Sequence, residues 1–241
     1  MKRSSWSAIG VLLWMSGCES APQAPQPLTP PPPGDDHFAA AGALHQAIVR
    51  GRLSDARDAA HALANAHVTE HTGWRPYVDD LRSAARRIEH TGDLAVAGAE
   101  LGGLGRTCST CHQVFDARPA FSIGSAPADD GTLASQGRRH EWAAARLWEG
   151  VTGPADASWA AGARVMAETE LDLRTTVHEK PNADVFELGE RLRDQGARAA
   201  GSRDRVERAV MYGEMMTACA GCHRIVRPEP VAPAQQPVAR R

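Results

Sequence analysis

Lysine is almost absent from this 241-residue chain: Lys2 and Lys180 are the only two, and arginine carries the rest of the positive charge. The formal net charge is only −2. That is too small to imply nucleic acid or a strongly steered partner. Runs of β-branched residues are few and alanine is frequent, which argues against sheets. The apolar run Ile9 to Met15 is too short to cross a bilayer as a helix. Methionine is missing between Cys18 and Gly153, so a thioether ligand is excluded from the first half of the chain. Cysteine is scarce too. Of five cysteines, four fall in two pentapeptides, which leaves no pair for a structural disulfide.

Those pentapeptides are Cys108-Ser109-Thr110-Cys111-His112 and Cys219-Ala220-Gly221-Cys222-His223. C-x-x-C-H is the attachment pattern of a c-type haem, in which two thiols form thioethers to the porphyrin and the adjacent histidine ligates iron. On a helix, positions i, i+3 and i+4 share a face, so both sulfurs and the imidazole meet one porphyrin. A redox dithiol needs no following histidine, and a zinc site has no reason to repeat the whole pentapeptide. Two covalently attached haem c groups follow, held by Cys108, Cys111, Cys219 and Cys222, with His112 and His223 as proximal ligands.

The fifth cysteine, Cys18, closes a segment with the layout of an export signal. Lys2 and Arg3 give a positive start, Ile9 to Met15 an apolar middle, and Ser16-Gly17 small residues before the cysteine. Ser-Gly-Cys resembles the lipobox of bacterial lipoproteins, with Met15 where that motif more often has Leu. The resemblance implies lipidation of Cys18 and a lipid anchor facing the periplasm. Glu19, in place of the Asp that retains some lipoproteins in the inner membrane, favours the outer membrane. Export also suits c-type haem, whose attachment is completed outside the cytoplasm in bacteria.

Residues 19–34 are rich in Pro and Gln and read as an extended tether. The pattern then turns helical. Helix one starts after Asp35/Asp36 and runs to about Arg50. Helix two follows Ser54 as N-cap and runs to about His71. Helix three begins near Pro76 with Tyr77, Leu81, Ala84 and Ile88 on one face, and helix four begins after Asp93 and carries the first motif near its end. After a Pro- and Gly-containing linker the pattern restarts. Aligning His37 with His140 gives an offset of 103 (140 − 37), at which Ala40-Ala41 meets Ala143-Ala144, Leu44 meets Leu147, and Ile48 meets Val151. Leu63-Ala64 likewise meets Met166-Ala167, while the motifs are offset by 111 (219 − 108). The second copy has therefore gained eight residues (111 − 103) between the two regions. In it, Asn182 and Ser202 are the expected caps of helices three and four. The segments are a signal peptide over 1–18, the tether over 19–34, a haem bundle over 35–118, a linker over 119–132, a second haem bundle over 133–228 and a disordered tail over 229–241.

The expected fold class is all-α, as two tandem four-helix bundles, each with its C-x-x-C-H site near the end of its last helix. Small three-helix cytochromes carry the motif near the start of the domain, whereas here it ends each repeat. That placement resembles the cytochrome c-prime family, a four-helix bundle with the haem motif on its last helix, once per half of the chain.

The sixth coordination position separates electron relay from ligand binding. A duplicated ligand should recur at equivalent places, which leaves His37 with His140, or His71 with His178, or an open iron. In the cytochrome c-prime type of bundle the distal face is covered partly by the first helix, so the resemblance favours His37 and His140. His45, His61, His67 and His90 lack a histidine in the other copy and read as surface residues. Met166, Met211, Met215 and Met216 read as packing, as do Trp142, Trp148 and Trp159, with a haem contact open to Trp142 or Trp148. Arg106 and Arg224 are neighbours suited to propionates. The favoured reading is a membrane-tethered dihaem cytochrome c with bis-His haems, passing electrons between periplasmic or membrane redox proteins. The alternative is small-ligand (gas) binding or sensing at a five-coordinate haem. An enzyme such as a dihaem peroxidase ranks last, because those enzymes are larger, use the other cytochrome fold and need an acid–base constellation that is not legible here.

Overall fold

The structure, a computed structural model, describes residues 36–68, 73–153, 155–171 and 183–226. Over these residues the chain is all-α, with eight helices and no strand. They are α1 (Asp36–Val49), α2 (Leu53–Ala64), α3 (Arg75–His90), α4 (Leu94–Val114), α5 (Leu133–Thr152), α6 (Asp156–Glu168), α7 (Ala183–Ala199) and α8 (Arg205–Val226). No helix among the described residues is long and apolar enough to cross a membrane. The leader, the tether and the tail, together with His71, His178 and Asn182, lie outside the described residues.

Local chemistry sets most of the helix ends. Asp93 caps α4, its Oδ1 accepting from the backbone N–H groups of Ala95 and Val96 at 2.7 and 3.0 Å. Pro76 sits in the first turn of α3, where its missing N–H costs nothing. Leu81, Ala84 and Ile88 of α3 are buried as the periodicity predicts, joined by Val78 and Ala85.

Two expected boundaries need correction. Ser54 is not the cap of α2: the helix starts at Leu53 after Arg52, which makes no side-chain cap, and it ends at Ala64 rather than near His71. Asn65 terminates it, donating from Nδ2 to the carbonyl of His61 at 2.8 Å. Val68 then leaves the helical path to bury itself with Trp74 and Val78. Nor does Ser202 cap α8. Asp204 Oδ1 accepts from the N–H of Glu207 at 2.8 Å, and Ser202 instead donates to the Glu207 carboxylate. The Ser202 carbonyl holds the buried guanidinium of Arg208, which also reaches Asp156 on α6.

Successive helices pack within each half, yet α4 packs more extensively on α8 than on its own neighbour α3. One apolar core accordingly runs through both halves, from Leu44, Ile48 and Leu101 to Leu147, Met166 and Met216. Met166 and its repeat partner Leu63 are both fully buried, as are Met215 and Met216.

The α4–α8 contact depends on bare backbone. A Cβ on Gly102 would lie 2.3 Å from the Ala209 carbonyl oxygen and 2.9 Å from Gly213 Cα; one on Gly98 would lie 2.8 Å from the Met216 carbonyl carbon. Thr217 Oγ1 adds a bond to the Ala95 carbonyl at 3.2 Å. Rising numbers on one helix meet falling numbers on the other, so α4 and α8 run antiparallel. Gly102 and Gly213 are repeat equivalents (213 − 102 = 111), and they meet each other. His45 and Trp148 are equivalents at the other offset (148 − 45 = 103), and their rings stack at 5.5 Å with 10° between planes. Equivalent residues meeting one another is the signature of a two-fold contact, here within one chain. The first cysteine of each motif lies six residues past the crossing glycine (108 − 102 and 219 − 213), so the motifs sit on opposite sides of it, their first cysteines about 18 Å apart along the helix axes.

Gly102→Ala and Gly103→Ala should therefore diverge. Gly102→Ala forces α4 off α8 and is expected to destabilise by about 1–3 kcal/mol. A Cβ on Gly103 meets nothing within 4 Å, so its helix propensity gain of about 0.5–1 kcal/mol prevails. Chemical denaturation of both variants tests the difference.

Candidate cofactor sites

Each C-x-x-C-H motif lines a cavity. The larger, of about 450 Å³, is bounded by α1, α3, α4, the C-terminal half of α5 from Ala145 to Thr152, and the linker. Cys108, Cys111 and His112 line it from α4, and His37 and His45 from α1. The smaller, of about 140 Å³, is lined by Cys219, Cys222 and His223 from α8 and by His140 from α5. The two linings correspond position by position. Ala41 matches Ala144 and Val68 matches Leu171 at 103, while Tyr77 matches Leu188 and Leu81 matches Leu192 at 111. The eight additional residues of the second half therefore fall after Leu171 and before Leu188.

His112 is fixed through its Nδ1 nitrogen. Its Nδ1 lies 2.7 Å from the carbonyl oxygen of Thr152, the last residue of α5. A carbonyl only accepts, so Nδ1 carries the proton and Nε2 keeps its lone pair. This bond to a backbone carbonyl is the usual support of a metal-ligating histidine. Burial lowers the pKa of His112; the Thr152 bond opposes that, and the nearby charge of His37 adds to it. Burial likewise lowers His140, whose Nε2 donates to the Thr169 carbonyl at 3.2 Å, and His223 is among the charges that act on it. In each cavity, then, the motif histidine and the first-helix histidine are electrostatic neighbours. Burial favours the neutral form of His112 and of His140, the form a metal binds.

The thiols are pushed the opposite way from a reactive dithiol. Burial, with a smaller contribution from the neighbouring cysteine, raises Cys108 to about 12 and Cys219 to about 12. Burial alone raises Cys111 to about 11, and it raises Cys222 as well. A thioredoxin-type pair requires a depressed thiol pKa, so this environment disfavours that chemistry. Among the described residues no group of three or more His, Cys, Asp or Glu side chains is arranged to hold a bare metal ion. What the side chains offer instead is two sulfurs and two imidazoles around an elongated, largely apolar space.

The cavities differ in their walls. In the larger one, Trp74, Tyr77 and Phe115 form a cluster with ring centroids 5.4 and 5.3 Å apart. Phe121 of the linker closes another side, and Arg146 holds that segment by donating to the carbonyls of Ser122 and Ile123 at 2.7 and 2.8 Å. The linker is thus irregular in conformation but packed in place. Among the described residues, no Phe, Tyr or Trp lines the smaller cavity.

His45 is the one histidine the sequence misplaces. It is not a surface residue but is 2% exposed, packed against both Trp148 and Tyr212, which also touch each other, with its Nε2 buried and unpartnered among the described residues. The periodicity of α1 carried a signal, since His45 follows the buried Leu44 and lies eight positions, just over two turns, beyond His37. His61, His67 and His90 are exposed, as expected. Trp148 lines the larger cavity; Trp159 is core, donating to the Ala199 carbonyl at 2.7 Å; Trp142 is half-buried under Arg146. Arg106 is exposed, and Arg224 pairs with Asp93 at 3.6 Å. The role of the Thr152 carbonyl had no sequence signal, because any residue supplies a carbonyl. No protein-family model, curated protein or solved structure matches the chain.

His45 makes stability depend on pH. Burial lowers its pKa from 6.5 to about 4, with a bond to the Ala144 backbone opposing. The unfolded chain therefore binds a proton that the folded chain refuses. The stability is complete above the unfolded value and is lost as pH falls toward the folded one, by about 3 kcal/mol in all. His112 and His140 act with the same sign. In denaturant titrations at pH 7 and pH 4, His45→Leu should lose about that much less than the parent; equal losses would contradict the assignment.

Proposed function

We propose that the chain is a dihaem cytochrome c that transfers electrons in the periplasm while tethered to a membrane. The observation that carries this reading is that each cavity gathers both motif thiols, the motif histidine and the first-helix histidine of the same half. Cys108 and Cys111 would hold one haem c by thioethers, and Cys219 and Cys222 a second. His112 and His223 would be the proximal ligands, with His37 and His140 opposite them. Each quartet of helices is read as a haem bundle of the kind the motif placement resembles. The haem iron supplies a one-electron couple when bound. The chain's residues orient the imidazoles, keep them neutral and shield the porphyrin from water. Bis-His ligation without methionine favours low potentials, and the aromatic wall of the first cavity, by excluding water, separates its potential from that of the second.

Redox proteins of the periplasm or its membranes are the partners this chemistry implies. Cys18 and the 19–34 tether supply the anchor in this reading. The fit rests on His112: its Nδ1 bond to a backbone carbonyl prepares the ring for iron and has no purpose in a disulfide exchanger.

EPR and optical spectra of the purified chain, oxidised and reduced, with and without carbon monoxide, test the reading. Two low-spin haems indifferent to carbon monoxide are expected. His37→Met and His140→Met should each alter one haem and leave the other as in the parent. A high-spin haem that binds carbon monoxide would instead assign that site to small-ligand binding, and no change in either variant would remove His37 and His140 as ligands.

A further inference from the structure

We infer that Gly51, a residue of the first half, positions the proximal histidine of the second half, so that each haem site is completed by the opposite half of the chain. The inference rests on the haem reading above. Gly51 follows α1 with φ of +74°, the left-handed conformation that favours glycine. Its N–H donates to the Ile48 carbonyl at 3.0 Å, and the N–H of Arg52 donates to the Ala47 carbonyl at 2.9 Å. This pair of bonds is the Schellman closure of a helix, which fixes the backbone at the turn.

His223 lies directly against that turn. A Cβ on Gly51 would stand 2.5 Å from His223 Cβ and 2.9 Å from its Nδ1. Carbon atoms do not approach so closely without one of them moving, and His223 Cβ is itself fixed to the α8 backbone, so the end of α8 must shift away from the turn and carry the ring with it. The bare Cα of Gly51 is therefore what lets the imidazole of His223 seat where it does. Val49 and Arg50, the residues just before it, line the second cavity.

The first site has the reciprocal arrangement. His112 is held by the carbonyl of Thr152, at the end of α5, which is the second half's first helix. Both proximal rings are thus gripped at the corner where the opposite half's first helix ends. A ligand ring that turns changes the direction of its Nε2 and the state of its Nδ1, and both alter the strength of the iron bond. Gly51 is a positioning residue in this sense, acting on iron only through His223.

The test compares Gly51→Ala with Gly131→Ala in the full haem-loaded chain. Gly131 also has a positive φ, +78°, but a Cβ there meets nothing within 4 Å, so it reports the backbone strain alone. EPR and redox titration are the readouts, with His140→Met identifying the signal of the second haem. Gly131→Ala should keep both parent signals and potentials. Gly51→Ala should keep those of the first haem and change the g-values and potential of the second. A second haem like the parent's in Gly51→Ala, or a change confined to the first, overturns the inference. If Gly51→Ala does not fold, the reduced parent decides by NMR: cross-peaks between the Gly51 α-protons and the His223 β-protons are expected, and their absence overturns it. A parent whose four motif cysteines carry no haem removes the underlying reading and this inference with it, an outcome distinct from two intact haems that ignore Gly51.

Discussion

Everything in this molecule depends on two helices lying closer than side chains normally permit. α4 and α8 meet backbone to backbone at Gly98, Gly102 and Gly213, and that contact, rather than any within a half, is the most extensive in the fold. Because Gly102 and Gly213 are equivalent positions of a repeat, the crossing places the two halves about a two-fold axis. The antiparallel direction then sends the motifs to opposite sides of the seam. Neither quartet of helices closes its own core. The apolar residues of both form one cluster, and the geometry of each cavity depends on the other half.

The same axis accounts for the stack of His45 on Trp148. An imidazole buried without a partner for Nε2 is unfavourable by itself. Its position opposite its own repeat equivalent explains why it is there: at the axis each residue must pack against the descendant of itself, and a flat imidazole against a flat indole fills that space. Tyr212 completes the stack on one side only. The two-fold symmetry is thus broken at the seam as well as at the cavities, where, among the described residues, one site has aromatic walls and a packed linker and the other has no Phe, Tyr or Trp in its lining. Two sites at matching repeat positions have different surroundings, and differing surroundings are how a protein gives chemically identical groups different properties.

Much of this was legible in the sequence. The helical class followed from alanine content and 3.6-residue periodicity, and the start of α4 followed from Asp93. The repeat offsets of 103 and 111 proved to be spatial as well as sequential, since residues at those offsets occupy matching places in the two cavities. Recurrence left His37 with His140 as one of two candidate pairs, the family resemblance favoured it, and each of the two lines the cavity of its own motif. What escaped were features decided by tertiary contact. Val68 leaves α2 early because Trp74 and Val78 bury it, which no local propensity records. His45 looked like a surface residue because its partners, Trp148 and Tyr212, lie far along the chain. The carbonyl of Thr152 and the bare Cα of Gly51 act through backbone, which the side-chain alphabet does not encode.

The account stands or falls on what the four motif cysteines carry. Proteolysis of the purified, natively matured chain followed by mass spectrometry answers that directly. The peptide containing Cys108 and Cys111 and the peptide containing Cys219 and Cys222 are each expected to bear one haem mass, and neither should react with a thiol alkylating reagent. Recovery of both peptides without haem, and with all four thiols alkylated, would contradict it.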